Sequence, residues 1–162
     1  MTASKIEKKL LIVAHTPSPN TQALAQAIEL GASSEEIGGI NVELKSPFDC
    51  NADDVLDSDA IVLFTTENFG YMSGALKDFF ERIYYPCLDQ PERNESKPFA
   101  LVIRAGLDGT GTEIAVHKIT TGLKWREVQA VLLCHGEFQT KFVHRCEELG
   151  MTIAASLEQD LI

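Results

Sequence analysis

Residues 60–83 read AIVLFTTENFGYMSGALKDFFERI, and this stretch decides the fold. It opens with an unbroken apolar run, residues 60–64, which is typical of a strand that is buried on both faces. Apolar residues then recur with helical spacing, at Leu76, Phe79, Phe80 and Ile83. The stretch therefore predicts a strand, a turn and an amphipathic helix, which is the repeating unit of a parallel sheet covered by helices.

The same alternation runs through the rest of the chain. Comparable apolar runs lie at residues 10–14, 99–103 and 128–134, and a helical pattern follows each of them. Residues 40–44 instead alternate apolar and polar side chains, which indicates a strand at the edge of the sheet. These five strand–helix units predict an α/β fold, a three-layer α/β/α sandwich around a five-stranded parallel sheet in the order 2-1-3-4-5. The length of 162 residues predicts a single domain over residues 1–162.

The charge balance narrows the range of partners. Lys and Arg total 14 and Asp and Glu total 24, which gives a formal net charge of −10. We expect no nucleic-acid partner, because contacts with phosphates need a basic surface. An acidic surface does suit docking onto a basic protein.

The sequence predicts neither a targeting segment nor a metal site. Its first apolar run, residues 10–14, is too short for a signal peptide, and no later run is long enough to span a membrane. The four cysteines form no CxxC motif, and His15 and His117 have no ligand-type neighbours in sequence. We therefore expect a cytoplasmic protein with reduced thiols, no membrane partner and no metal.

Ligands of such sheets bind at the carboxyl ends of the strands, so the loops that follow strands one, three and four matter most. The first loop offers hydroxyls and an amide from Thr16, Ser18, Asn20 and Thr21. We expect the amides of residues 20–22 to point out of the following helix, where a phosphate is stabilised by free N–H groups and the helix dipole. No Lys or Arg lies between Lys9 and Lys45, so the donors would be neutral. The alternative is an ordinary helix cap.

The other two loops are rich in glycine. In the second loop Gly70 permits an unusual backbone angle, and Phe69 and Tyr71 beside it suit packing against a planar ring. The alternative is that both aromatic rings are hydrophobic plugs at the sheet edge. In the third loop three glycines in six residues, Gly106, Gly109 and Gly111, make a flexible surface rich in backbone groups, and the alternative is a glycine-rich turn followed by a Thr112 helix cap.

One segment carries a family resemblance. Residues 66–77, TENFGYMSGALK, resemble the loop and helix of the flavodoxin-like NAD(P)H-dependent FMN reductases and quinone reductases, and residues 18–21, SPNT, are similar to their phosphate loop. The resemblance implies a flavodoxin-like fold, FMN as the cofactor, NADH or NADPH as a transient electron donor, and a quinone, a flavin or a similar small molecule as the acceptor.

The resemblance also implies roles for the candidate residues. Those of the first loop would hold the FMN phosphate: Thr16, Ser18, Asn20 and Thr21. Those of the second would border the flavin ring, largely through backbone groups: Thr66, Glu67, Asn68, Phe69, Gly70 and Tyr71. Gly106 and Gly109 would lie near the other edge of the ring, where nicotinamide or quinone has room. No side chain is assigned a catalytic role.

Two other interpretations stay open at this point. Many such reductases are longer, with extra elements that build a dimer, whereas this chain has only a modest insertion at residues 86–98. Its length and its acidic charge also suit a flavodoxin-type electron-transfer protein that docks onto a basic redox partner and lacks its own NAD(P)H reductase activity. A third interpretation is a protein of this fold that has lost FMN and acts as an interaction module. Two interpretations of Phe79, Tyr84, Tyr85 and Leu88 also stay open: they support a homodimer, or they belong to the core.

Overall fold

The computed structural model describes residues 7–162. The strands are β1 (Lys8–Ala14), β2 (Ile40–Lys45), β3 (Ala60–Asn68), β4 (Tyr71–Met72), β5 (Pro98–Ala105), β6 (Arg126–Glu127) and β7 (Leu132–His135). The helices are α1 (Pro19–Ala32), α2 (Ala52–Leu56), α3 (Gly74–Leu88), α4 (Pro91–Asn94), α5 (Thr110–Gly122) and α6 (Thr140–Glu158), and a single turn of 3₁₀-helix spans Pro47–Asp49. None of these helices is long and apolar enough to cross a membrane.

The main sheet is parallel and confirms the predicted order. β2 forms one edge, β1 and β3 follow, and β5 lies beyond β3. The outermost position is shared by β6, which pairs with Pro98 and Phe99, and by β7, which pairs with residues 102–105 of the same strand. The prediction of an edge position for residues 40–44 is also confirmed, since β2 has β1 as its neighbour.

Helices cover both faces of the sheet, as the predicted sandwich requires. α1 and α6 pack on one face, where Leu24, Ile28 and Phe142 are buried against the strands. α2, α3 and α5 pack on the other, in a core that includes Phe79 and Trp125. The unbroken apolar runs form the central strands because side chains that alternate between the faces of a strand are all buried when both faces are covered.

The last predicted strand is wrong in its extent. Residues 128–134 do not form one strand, because the chain pairs with β5 at Arg126–Glu127, leaves the sheet, and returns at Leu132. The main sheet therefore has its five predicted positions, but the fifth is built from two short pieces. An outermost position has one neighbouring strand and weaker burial, so fewer contacts hold the segment in regular pairing.

The second loop is also more regular than predicted. β3 continues past Phe64 to Asn68, and a tight turn joins it to β4 in an antiparallel pair. The two turn residues, Phe69 and Gly70, have φ of 54° and 70°. Positive φ at both positions is the signature of a type I′ turn, whose twist matches that of the strands it joins.

Candidate functional site

The three loops meet at the carboxyl ends of β1, β3 and β5. β2 lies on one side of β1 and β3 on the other, so the strand order reverses between β1 and β3. α1 therefore leaves towards one face of the sheet and α3 towards the other. This divergence opens the crevice in which folds of this class bind ligands, and it makes the carboxyl edge the candidate site.

The first loop is a closed helix cap. Ser18 Oγ accepts a hydrogen bond from the Thr21 amide at 3.2 Å, and the Ser18 amide donates to Thr21 Oγ1 at 3.0 Å. The Gln22 amide donates to the Ser18 carbonyl at 2.9 Å. The expectation of free amides at residues 21 and 22 is therefore wrong, because Ser18 satisfies both. Thr21 is buried by this cap.

Two candidates of the first loop remain available to a ligand. Thr16 is half-buried and Asn20 is exposed, and both lie at the positive end of the α1 dipole. Burial lowers the pKa of His15, the first residue after β1, so its imidazole is neutral at pH 7. The positive potential at this end of the crevice therefore comes from the α1 backbone rather than from His15.

The hairpin presents an aromatic ring to solvent. Phe69 is fully exposed, and Tyr71 is 42% exposed. The interpretation of Phe69 as a hydrophobic plug is therefore wrong, since its ring contacts no core. A bulky residue in the left-handed region costs about 1–2 kcal/mol, and such strain concentrates at ligand sites.

Thr66 leaves a polar atom unsatisfied. Its side chain is 9% exposed, and nothing in the described residues hydrogen-bonds its Oγ1. Alternation along β3 places Thr66 on the same face as Phe64, which is the face that α1 and α6 cover. A buried hydroxyl without a partner costs roughly 1–3 kcal/mol. Its position at the end of β3, between the first and third loops, makes this hydroxyl a candidate contact for a molecule in the crevice.

Glu67 joins the second loop to the third. One carboxylate oxygen accepts a hydrogen bond from the Leu107 amide and the other from the Gly109 amide, both at 2.7 Å. The Gly109 amide is thus turned towards Glu67. Gly109 itself has φ of 72°, a left-handed backbone angle that glycine adopts without strain. Gly106 is exposed, and a Cβ there would meet open space.

A second pair of contacts holds the hairpin against α5. Thr112 Oγ1 donates to the Tyr71 carbonyl at 3.0 Å. A Cβ on Gly111 would lie 2.0 Å from the Gly70 carbonyl oxygen. The interpretation of Thr112 as the cap of α5 is wrong, because the N-cap is Gly109 and carries no side-chain cap bond. Gly111 is a site residue that the sequence analysis missed, although it belongs to a glycine-rich run.

The start of α5 carries one further polar contact. Asp108 Oδ1 accepts a hydrogen bond from the Thr110 amide at 3.0 Å. This hydrogen bond lowers the pKa of the Asp108 carboxyl, so the exposed side chain is ionised at neutral pH. It therefore behaves as an aspartate that stabilises its own turn.

Arg104 is the cation that sequence reasoning did not bring to the site. It lies beside Thr66 in the pairing of β3 with β5. Its guanidinium donates to the carbonyls of Ala105 and Cys134 at 3.1 and 3.0 Å and lies 5.5 Å from the ring centroid of Phe142. Arg104 is far from the first loop in sequence, and the topology of the sheet brings it to this edge. An arginine that ends an apolar strand was the available signal.

Comparisons with known proteins agree with this architecture. No protein family's sequence profile matches the chain. A flavodoxin from Aquifex aeolicus is 29% identical over 115 residues, which are 71% of this chain and 60% of that protein. The matched part thus spans less than two thirds of that relative.

Two solved structures superpose over nearly their whole length. A flavodoxin from the domain Archaea has a TM-score of 0.76 at 22% identity and covers 92% of this chain and 98% of its own. A WrbA-like flavodoxin from Agrobacterium tumefaciens has a TM-score of 0.72 at 16% identity, and the superposition covers 94% of this chain and 98% of that one. The chain has the flavodoxin-like fold, which confirms the predicted fold class.

Proposed function

We propose that the chain binds FMN in the crevice at the carboxyl edge and serves as an electron-transfer flavoprotein. The observation that carries the proposal is the buried Thr66 hydroxyl, which lies where the strand order reverses and has no hydrogen-bond partner within residues 7–162. The exposed Phe69 and the similarity to flavodoxins support it.

The available groups fit the two ends of FMN. Thr16 and Asn20 would hold the phosphate at the α1 N-terminus, with Ser18 as a further donor if its hydroxyl is shared with the cap. Arg104 supplies positive charge on the same face of the sheet.

The hairpin suits the ring of FMN. Phe69 and Tyr71 offer apolar surface, and the backbone of residues 66–71 is the rim beside it. Bound FMN would supply the redox chemistry, and the protein's part is to position it and to limit its contact with water.

Two sources of electrons are proposed. The first is NADH or NADPH, with a quinone, a flavin or a similar molecule as acceptor, and the resemblance of residues 66–77 to the FMN reductases supports it. The second is a partner protein, with this chain acting as a carrier. The net charge of −10 and the similarity to flavodoxins favour the second.

A titration tests the cofactor. We expect FMN to bind the purified ligand-free protein at one site per chain and to lose fluorescence on binding, because the crevice holds its ring beside aromatic and backbone groups. Free FMN with bovine serum albumin is the control for non-specific quenching. A protein that leaves FMN fluorescence unchanged at concentrations up to 100 μM contradicts the proposal.

An anaerobic reduction experiment distinguishes the two proposed electron donors. The FMN-loaded protein is mixed with NADH or NADPH, and the flavin absorbance is followed. Rapid bleaching supports the reductase. Bleaching by dithionite but by neither nucleotide supports the carrier and excludes the reductase.

A further inference from the structure

We infer that Glu67 is a positioning residue that fixes the third loop in its ligand-receiving shape before FMN arrives. The inference rests on the proposed function for its ligand. It concerns a contact within the protein, which is measurable without any ligand.

Apart from Glu67, the third loop is held by the start of its own helix, where the Thr110 amide donates to Asp108 Oδ1 and the Glu113 amide donates to the Gly109 carbonyl. Residues 106–108 are all exposed, and glycine stands at both ends of the segment 106–109. In the described part of the chain, the hydrogen bonds that join this segment to another strand or loop are the two that Glu67 accepts. Glycine-rich segments lose much conformational freedom on ordering, so an untethered loop would have to be ordered by the ligand itself.

The chemistry of the contact requires a carboxylate. The Leu107 and Gly109 amides are both donors, and an ionised carboxylate offers two acceptors. A glutamine of the same shape would accept one hydrogen bond and turn its NH₂ group towards the other N–H. The substitution Glu67→Gln therefore removes one of the two hydrogen bonds and places an NH₂ group against the other N–H, while it keeps the volume of the side chain.

The role of Glu67 is confined to the third loop. The hairpin that carries it is held against α5 independently, by the bond from Thr112 to Tyr71 and by the close approach of Gly70 and Gly111. Loss of the carboxylate should thus release residues 106–109 and leave the hairpin and the sheet in place.

The test measures the loop and the ligand separately. In ligand-free protein, we expect at least one of the Leu107 and Gly109 amides to exchange its hydrogen with solvent at least tenfold faster in Glu67→Gln than in the wild type, by NMR. Amides of β3 and β5 should keep their rates. FMN affinity should fall roughly tenfold or more, as charge-assisted hydrogen bonds and loop order are lost, while the melting temperature of the free protein changes little.

The control is Glu92→Gln, which makes the same change at an exposed position on α4. It should alter neither exchange nor affinity. Unchanged exchange at residues 107 and 109 overturns the inference whether or not FMN binds. Faster exchange with unchanged or tighter FMN binding also overturns it, because the carboxylate would then be irrelevant to the ligand or compete with it. A wild-type protein that binds no FMN refutes the proposed function instead. The expected effect of Glu67→Gln on FMN affinity is then refuted as well.

Discussion

Thr66 and Phe69 both lower the stability of the free protein, and they lie three residues apart. Thr66 buries a hydroxyl that no other described residue hydrogen-bonds, and Phe69 adopts a backbone angle that suits glycine or asparagine. Costs of this kind are tolerated where the surrounding structure serves a ligand. Opposite effects of substitution on stability and on binding are therefore the expected signature of the site.

Thr66→Val tests this at the hydroxyl. The change keeps the shape and removes the unsatisfied atom, so we expect the free energy of unfolding to rise by about 1 kcal/mol and the affinity for FMN to fall. Urea denaturation and FMN titration measure the two quantities. Thr120→Val is the matched control: the Thr120 hydroxyl is bonded to the His117 carbonyl, so its removal should destabilise the fold. A Thr66→Val protein that is both less stable and unaltered in FMN binding would contradict the role given to this hydroxyl.

Phe69→Asn tests the strained turn. Asn-Gly is the preferred pair for a type I′ turn, and the exposed Phe69 ring has no core contact to lose. We expect the free energy of unfolding to rise by about 1 kcal/mol and FMN to bind more weakly, because the aromatic surface is gone. Phe48→Asn removes another exposed ring, at a position without positive φ, and should give no gain in stability. If Phe48→Asn stabilises the protein as much as Phe69→Asn does, relief of backbone strain is not the cause.

Among the elements, the hairpin and α5 approach each other closely at two glycines, Gly70 and Gly111. Gly111→Ala would place a Cβ 2.0 Å from the Gly70 carbonyl oxygen, which forces the hairpin and the helix apart. We expect a loss of roughly 1–3 kcal/mol in the free energy of unfolding, measured by urea denaturation. Gly106→Ala, in the loop just before α5, is the control, because a Cβ there meets open space. Equal losses for the two variants would show that the close approach carries no weight.

Most elements could be predicted from local pattern. The unbroken run at residues 60–64 and the spacing of Leu76 to Ile83 each follow from burial within their own segment. The hairpin was missed because a bulky residue before Gly70 is a poor signal for a type I′ turn. The Glu67 contacts were missed because they join residues 40 and 42 positions apart in sequence, and no local period encodes such a pair.

For the whole molecule, a ligand that binds the folded chain alone must stabilise all of it. If FMN occupies the crevice, its presence at 100 times the dissociation constant should add about 2.7 kcal/mol to the free energy of unfolding. Differential scanning calorimetry measures the resulting rise in melting temperature as FMN is increased. Riboflavin, which lacks the phosphate, should raise it less if the α1 N-terminus holds that group. An equal rise in melting temperature with FMN and with riboflavin would contradict phosphate binding at the α1 N-terminus.

The order of the strands was predictable because it follows from chain direction and handedness rather than from side-chain detail. The candidate site was predictable as a location for the same reason. Its bonding was not, since Thr66, Glu67 and Arg104 each gain their meaning from neighbours on other strands.

The segment between β6 and β7 is a site where the chain can accept inserted residues. Each piece pairs with its own part of β5, so the register of one does not depend on the other. Extra residues placed near Ala130, which is exposed, would lengthen an outer bulge without shifting either pairing. We therefore expect this edge of the sheet to tolerate an inserted subdomain. An insertion in the hairpin would instead separate the loops that make up the crevice.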